Sequence, residues 1–213
     1  MKPAWVVGNG LVVLTALACV ACLYYACRPV RRGWPVFSLA LIAVTVLISI
    51  LQFIHPELLA ALRRDPEAVR AGEWWRLFTA LFVQPEGLSQ CLANGLLMLL
   101  FVPPGERLYG GKMLVVYFTA GLCGQIVDFL WNSVSGGSST AVFGVMGSLL
   151  IYVILNRARL LRPFQFIAHL GLLAAVVLIV LRDARGVSLV IGAAVAALMV
   201  TREMTFRSLQ EVQ

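Results

Sequence analysis

Seven long apolar runs constrain the fold of this chain more than any other feature. They cover about residues 5–27, 36–54, 87–104, 113–131, 140–156, 164–181 and 187–201. A bilayer core of about 30 Å is crossed by roughly 20 apolar residues in an α-helix. Backbone N–H and C=O groups that face lipid must be paired within the segment, and the sequence lacks the alternating pattern of barrel strands. We therefore expect an all-α, multi-pass integral membrane protein in contact with the lipid bilayer.

The basic residues indicate how the chain is oriented. Apolar residues make up 61% of the sequence and charged residues 13%, with a net charge of +7. The positive charge lies at the ends of the runs instead of along one face, which argues against nucleic acid as a partner. It falls on alternate connections in three groups: Arg28, Arg31 and Arg32; Arg107 and Lys112; and Arg157, Arg159 and Arg162. Because cytoplasmic connections carry the excess of Lys and Arg, we expect the N-terminus outside and the C-terminus in the cytoplasm, in a bacterial plasma membrane.

The first run and the cysteines are interpreted as structural. The first run has a poor charged start for a secretory signal, and we expect it to remain as a helix. All five cysteines lie in or beside apolar runs, where cysteine packs as a small hydrophobic residue. Cys19 and Cys22 have the spacing of a metal or redox pair, but they have no neighbouring His or carboxylate in sequence. We expect neither a metal nor a cofactor.

Polar residues concentrate in three of the apolar runs. They are Gln90 and Asn94 in the third, Gln125, Asp128 and Asn132 in the fourth, and Ser138, Ser139 and Thr140 at the start of the fifth. Polar groups at membrane depth either hydrogen-bond between helices or line a water-filled cavity. With the topology above, the whole cluster lies in the outer half of the membrane. The matched depth favours a polar cavity that is open to the exterior.

Small residues predict one close helix contact. The fifth run contains Gly144 and Gly147, and the seventh contains Gly192 followed four residues later by Ala196. Small residues spaced in this way let two membrane helices approach closely. We expect the fifth and seventh helices to touch.

Four blocks of sequence together resemble the rhomboid intramembrane serine proteases. The blocks are GEWWRLFT at 72–79, Asn94, ERLYG at 106–110, and the stretch from Ser139 to Gly147. The resemblance covers about residues 36–201 and implies a six-helix core preceded by one added helix, with the active side facing outward. It divides the chain into an additional helix with its cytoplasmic loop at 1–34, a rhomboid-like membrane domain at 35–201 and a short cytoplasmic tail at 202–213.

The resemblance also implies roles for individual residues. Ser139 falls on the nucleophile at the start of the fourth core helix, and Asn94 falls on the asparagine that helps to stabilise the oxyanion. Gln90 replaces a family histidine but keeps a donor for the same oxyanion. The other matches are a Trp-Arg pair, an aromatic residue beside the site and structural motifs: Trp75, Arg76, Phe143, Glu106, Arg107, Gly110, Gly144, Gly147 and Gly192.

The departures from the family pattern surround the chemistry. Thr140 replaces the glycine that follows the serine, and Gln84, like Gln90, stands where the family has histidine. The catalytic histidine of the last helix falls on Leu189, or on Ser188 if the alignment shifts by one residue. Neither side chain can accept a proton from serine.

Other residues offer little as a replacement base. His169 lies early in a helix that starts inside, which leaves it on the order of 10 Å too deep for Ser139. His55 directly follows the second run and precedes Pro56, as expected of an interfacial helix end. Asp128 lies at a suitable depth and stays open as a conceivable base.

Two hypotheses for function follow from this pattern. The first is a non-proteolytic rhomboid-like protein that binds transmembrane helices of client or partner membrane proteins, or serves as a subunit of a membrane complex. The second is an active or atypical intramembrane serine endopeptidase that uses Ser139. A channel or transporter is poorly supported, because no polar face continues to the cytoplasmic side.

Overall fold

The structure is all-α over the residues that it describes. This computed structural model describes residues 3–26, 33–156 and 162–210, with side chains at 10–21, 33–156 and 162–199. Its helices are α1 (Pro3–Ala26), α2 (Val36–Ile54), α3 (Pro56–Leu62), α4 (Pro66–Arg70), α5 (Trp75–Thr79), α6 (Leu88–Tyr109), α7 (Met113–Leu130), α8 (Ser139–Leu155), α9 (Arg162–Val180) and α10 (Ala184–Gln210). A 3₁₀ turn, Gly110–Lys112, links α6 to α7. Every predicted apolar run coincides with one of the long helices, which confirms the predicted fold class.

The long helices differ in how fully they could cross a bilayer. By length and composition, three stretches are sufficient: Val36–Ile54, Leu88–Leu130, which contains both α6 and α7, and Arg162–Val180. Shorter apolar stretches lie at Gly10–Ala21, Ser139–Leu155 and Ala184–Met199. The last helix continues beyond the predicted end of its apolar run, to Gln210.

Helix α8 forms the centre of the bundle. Every residue from 140 to 150 is buried, as expected of a helix that is apolar on all sides. Helix α10 packs against it most closely, and α7 packs against both. Helices α6 and α9 flank this central group, and α2 packs on α6. The core helices therefore hold the start of α8 against the neighbouring ends of α7 and α10.

Glycines form the contact between α8 and α10, here called the seam. A side chain at Gly147 would meet the backbone carbonyl of Leu189, and one at Gly192 would meet the carbonyl of Gly144. Both contacts join backbone to backbone, so only residues without a Cβ atom fit. The predicted contact between the fifth and seventh runs is confirmed.

The first helix, α1, packs on α9 and α8 and touches α6. Thr15 and Cys19 are fully covered, and the Cys19 thiol donates to the carbonyl of Met146 at 3.8 Å. Cys91 and Cys123 carry free thiols, while the side chains of Cys22 and Cys27 lie outside the described residues. Cys19 therefore packs as the sequence predicts, against the middle of the central helix.

Glu106 joins α6 to the start of α2. Its carboxylate accepts hydrogen bonds from the backbone N–H groups of Phe37 and Ser38, at 3.1 and 2.6 Å, and from the Ser38 hydroxyl at 2.6 Å. These donors are the ones that a helix start leaves unpaired. Gly110 ends α6 with a φ of 61°, a value that favours glycine. The block at 106–110 thus has a structural role at the end of the bundle opposite Ser139.

Candidate functional site

A polar cavity of about 580 Å³ lies at one end of the bundle, here called the cavity end. Helices α6, α7 and α8 and the junction between α9 and α10 all contribute to it. Its main polar lining residues are Glu86, Gln90, Asn94, Gln125, Asp128, Ser133, Ser139, Thr140, Arg182, Asp183 and Arg185. The cavity brings together six residues of the predicted polar cluster: Gln90, Asn94, Gln125, Asp128, Ser139 and Thr140.

Ser139 begins α8 and faces this cavity. The backbone before it turns through Gly137, whose φ of 129° is one that side chains rarely adopt. Within the described part of the chain, the Ser139 hydroxyl makes no hydrogen bond. Ser139 is therefore at the cavity surface, and its hydroxyl is not hydrogen-bonded to any of the groups that the structure describes.

Gln84 is buried behind Asn94, one of the residues that line the cavity. Its backbone exchanges hydrogen bonds with the side chain of Gln52, at 2.9 and 3.0 Å. Its side-chain oxygen accepts from Asn94 at 2.7 Å, and its amide nitrogen lies 3.5 Å from the buried Ser138 hydroxyl. The position that resembles a family histidine thus holds a buried amide with a structural role.

Gln90 and Asn94 lie beside Gly137 and already have partners. The Gln90 side-chain nitrogen donates to the carbonyl of Gly136 at 3.1 Å, and its oxygen accepts from the backbone N–H of Glu86 at 2.9 Å. A Cβ atom at Gly137 would lie 2.8 Å from the Gln90 nitrogen and 3.2 Å from the Asn94 nitrogen. Each amide nitrogen carries two protons, so each keeps one that is not used in these bonds.

Two residues of α10, Ala184 and Arg185, line the cavity with Ser139, and Arg185 lies one helical turn before Leu189. Leu189 is buried in the seam, and the buried Ser188 hydroxyl points at Gly124 and has no hydrogen-bond partner among the described groups. Neither of these predicted positions lines the cavity, whereas Arg185 does. The Arg185 guanidinium carbon lies 5.9 Å from the centre of the Phe143 ring. Phe143 is one turn after Ser139 on the same face of α8.

Neither of the two histidines of the chain lines the cavity. His55 is exposed at the end of α2 and pairs with Glu57 at 3.1 Å. His169 is exposed on α9, where one ring nitrogen lies 2.6 Å from the Gln165 carbonyl. The interfacial position of His55 and the depth of His169 relative to Ser139 stay predictions.

A buried arginine behind the cavity wall was missed by sequence reasoning. Arg64 is fully buried, forms an ion pair with Asp128 at 3.2 Å and donates to the side chain of Gln125 and to the Ser133 carbonyl. Its backbone also pairs with Ser135. Burial lowers the pKa of Arg64 from its ordinary value, and the carboxylate of Asp128 opposes that shift. Asp128, the conceivable base of the sequence analysis, is thus already engaged by a cation.

The Gln125 amide extends this network toward the site. It donates to the Thr140 hydroxyl at 3.3 Å. Thr140, which replaces a family glycine, is therefore fixed by a contact that reaches back to Arg64. We call Arg64, Gln125, Asp128 and Thr140 the polar wall.

The remaining predicted residues lie around the cavity end or far from it. Asn132 follows α7 in a left-handed conformation, with a φ of 59°, and accepts from Arg70 at 3.0 Å, outside the cavity lining. Trp75 is exposed, while Arg76 pairs with Glu73 at 2.5 Å and donates to the carbonyls of Ala60 and Arg63. Arg107 is exposed near the opposite end of α6.

Known proteins share this arrangement of sequence. Residues 71–202 match the Rhomboid domain. The rhomboid protease GluP of Bacillus subtilis is 32% identical over 140 residues, which cover 62% of this chain and 27% of that protein. The putative rhomboid protease YdcA of the same organism is 36% identical over 90 residues, 40% of this chain and 45% of that protein. RHOMBOID-like protein 9, chloroplastic, of Arabidopsis thaliana is 28% identical over 142 residues, 65% of this chain and 28% of that protein.

The matched region spans less than half the length of each of these relatives. The Rhomboid domain, by contrast, covers more than half of this chain and contains helices α6 to α9 and α10 as far as residue 202. The chain belongs to the rhomboid family.

Proposed function

We propose that this chain is a non-proteolytic rhomboid that binds transmembrane helices of partner membrane proteins, or holds them as a subunit of a membrane complex. One observation carries the proposal: neither histidine of the chain lines the cavity, and two of its three carboxylates, Asp128 and Asp183, are held by arginines, which leaves only the exposed Glu86 of the turn before α6. Arg185, which also lines the cavity, is a permanent cation. The nearest carboxylate on α7, that of Asp128, is paired with Arg64.

The surroundings of the cavity support the binding of a helix. Ala93 lines the cavity, and its neighbours on α6, Leu92 and Leu96, are 65% and 57% exposed. Leu181, at the end of α9, also lines it. A polar cavity beside an exposed apolar helix face suits a partner helix whose backbone or side chains need hydrogen bonds at that depth.

The test of the proposal measures reaction and binding separately. The full chain is reconstituted in proteoliposomes and treated with a fluorophosphonate probe, with Ser139→Ala as the matched control. We expect equal, background labelling of both forms. In parallel, a photoreactive amino acid at Leu92 should crosslink a co-reconstituted single-span peptide. Labelling that disappears in Ser139→Ala would overturn the non-proteolytic assignment.

The second candidate function is intramembrane proteolysis by Ser139. Two observations favour it: Ser139 stands at the head of α8 facing the cavity, and the relatives GluP and YdcA carry the name of rhomboid proteases. It requires Asn94 and Gln90 to hold the oxyanion with the amide protons that they have left. Cleavage of a reporter transmembrane segment by the wild-type chain, and not by Ser139→Ala, would establish it.

We also propose that the cavity end faces the exterior of a bacterial plasma membrane, with the N-terminus outside and the C-terminus in the cytoplasm. The basic residues Arg107, Lys112 and Arg162 support this, because they lie at helix ends opposite the cavity. Arg28, Arg31, Arg32, Arg157 and Arg159 lie outside the described residues. In intact cells, an impermeant maleimide should label Val134→Cys and leave Lys112→Cys unlabelled; the reverse pattern would invert the assignment.

The division into an added helix at 1–34, a membrane domain at 35–201 and a tail at 202–213 is likewise a proposal. The packing of α1 on α8 and α9 supports its treatment as an addition to the core. Helix α10 runs through residue 202 as far as Gln210, so the tail begins as a continuation of that helix.

A further inference from the structure

The cavity wall at the junction of α9 and α10 carries two arginines within four residues. Arg182 follows α9 in a left-handed conformation, with a φ of 57°. Arg185 lies in the first turn of α10, and Asp183 lies between them. All three line the cavity. This stretch, here called the junction wall, differs in charge from the neutral amides of α6 that face the same space.

Asp183 holds the Arg185 guanidinium in one orientation. Its carboxylate accepts from Arg185 Nε at 2.8 and 3.0 Å and from Nη2 at 2.5 Å, and from the backbone N–H of the same residue at 3.0 Å. The ring of Phe143 supports the guanidinium from α8. A cation that is fixed in advance loses less conformational entropy when it binds a ligand.

The contact with Asp183 leaves some N–H donors of the Arg185 guanidinium unused. A guanidinium has five N–H donors, and Asp183 engages the one on Nε and one on Nη2. The other three have no acceptor within the described part of the molecule. The Arg185 side chain is 27% exposed. Because the residue lines the cavity, a ligand in that space would meet these donors.

The charge balance of the junction wall favours an anion. Asp183 neutralises Arg185, while Arg182 has no ion pair among the described residues. The first turn of α8, which begins at Ser139, adds backbone N–H groups without helical partners and the positive end of the helix dipole. The acid Glu86 also lines the cavity and forms no ion pair within the described part of the chain, but it is exposed and belongs to the turn before α6 instead of this wall. A carboxylate next to Arg185 would therefore gain both charge and hydrogen bonds.

We propose that Arg185, clamped by Asp183, binds a carboxylate that a partner carries at the cavity end of its transmembrane helix. The inference rests on the proposed function and adds the chemistry that selects the partner. An acidic side chain near a helix end is costly in lipid without a donor. The junction wall supplies that donor at the depth of the cavity.

The experiment uses the full chain in nanodiscs of phosphatidylcholine. The probes are two synthetic single-span peptides that differ only in one residue near the end beside the cavity, Asp in one and Asn in the other. Binding is measured by energy transfer between labelled chain and labelled peptide. We expect the Asp probe to bind about tenfold more tightly than the Asn probe.

Variants of the chain assign the preference to the guanidinium. Arg185→Met should bind both probes equally, Arg185→Lys should keep part of the preference, and Arg182→Met should reduce it less. Arg107→Met, which removes an exposed arginine at the opposite end of α6, should leave it unchanged. Retention of Asn-probe binding by Arg185→Met also confirms that the variant is folded.

The outcomes separate this inference from the function on which it rests. Equal binding of both probes to the wild-type chain would overturn the carboxylate assignment and leave helix binding intact. Absence of binding by either probe would instead count against the proposed function itself. Displacement of the Asp probe by added phosphatidylglycerol would overturn the inference in favour of a lipid phosphate.

Discussion

The seam and the polar wall lie on adjacent turns of the central helix, but the first is held by backbone contacts and the second by side-chain hydrogen bonds. At the seam, Gly144, Gly147 and Gly192 let backbone touch backbone, so any added atom must push two helices apart. At the polar wall, Thr140 hydrogen-bonds to Gln125, which bonds to an arginine from a distant loop. The seam depends on the absence of side chains, whereas the polar wall depends on their charge and hydrogen bonds.

Arg64→Met tests whether the polar wall matters as much to stability as the seam. The change leaves Asp128 without its cation and leaves the Gln125 oxygen and Ser133 carbonyl without a donor. Breaking a buried ion pair by removing one partner costs about 3–5 kcal/mol. We expect a loss of this size in the free energy of unfolding, measured by denaturant titration in micelles.

The matched control for Arg64→Met removes both charges. Arg64→Met with Asp128→Leu replaces the ion pair by apolar groups, so most of the lost stability should return. A single variant that loses less than about 1 kcal/mol, as an exposed pair would, would show that the wall contributes little to the fold.

Gly192→Ala tests the seam in the same assay. A Cβ atom at this position would collide with the carbonyl of Gly144, and backbone cannot move aside as a flexible side chain can. Overpacking of a close contact costs about 1–3 kcal/mol, and we expect the upper end of that range.

Gly95→Ala is the control for this change, because the position lies on α6 with open space around it. There the replacement should be neutral or gain up to about 1 kcal/mol from helix propensity. Equal effects of the two substitutions would mean that the seam is not a close contact.

Arg185→His tests whether a histidine on the cavity side of α10 can activate Ser139. Position 185 lies beside the cavity that Ser139 lines, and the Asp183 carboxylate that now holds the arginine is close enough in sequence to orient an imidazole there. Since a general base contributes about 10²–10⁴-fold to such reactions, we expect fluorophosphonate labelling to rise by about tenfold to a hundredfold. Mass spectrometry of the labelled peptide identifies the serine.

Two histidine variants of the neighbouring positions serve as controls for Arg185→His. Leu189→His and Ser188→His should not label, because one side chain lies in the seam and the other points at Gly124. Labelling by either, without labelling by Arg185→His, would restore the alignment that the sequence suggested. Arg185→His with Ser139→Ala should be silent.

The seam could be predicted from sequence because its requirement is local. Glycines at a helical spacing indicate a close contact between helices, and Gly144, Gly147 and Gly192 all lie at such a contact. The clustering of Gln90, Asn94, Gln125, Asp128 and Ser139 in one cavity also followed from the depth of each residue in its apolar run. Both inferences needed only the period of a helix and the alternation of membrane crossings.

The partners of the polar residues could not be predicted in this way. Arg64 follows Leu62 and Arg63 in a loop with the composition of an interfacial segment, and its burial depends on backbone pairing with Ser135, far away in sequence. Arg185 lies one turn before Leu189 on the same face of α10. Counting back from Gly192 placed the predicted position at Leu189. Such a count gives a residue's position along the helix, but it does not show which turn of the helix lines the cavity.

Arg70→Met gives the smallest expected effect and sharpens the comparison within a single loop. Arg70 and Arg64 both attach the loop to the end of α7, but Arg70 is exposed, with one hydrogen bond to Asn132 and its guanidinium carbon 5.4 Å from the centre of the Phe129 ring. Exposed contacts of this kind contribute about 0.5–1 kcal/mol. We expect a loss of stability in this range in the same titration. If Arg70→Met and Arg64→Met cost the same, attachment of the loop and not burial of the charge would set the strength of the polar wall.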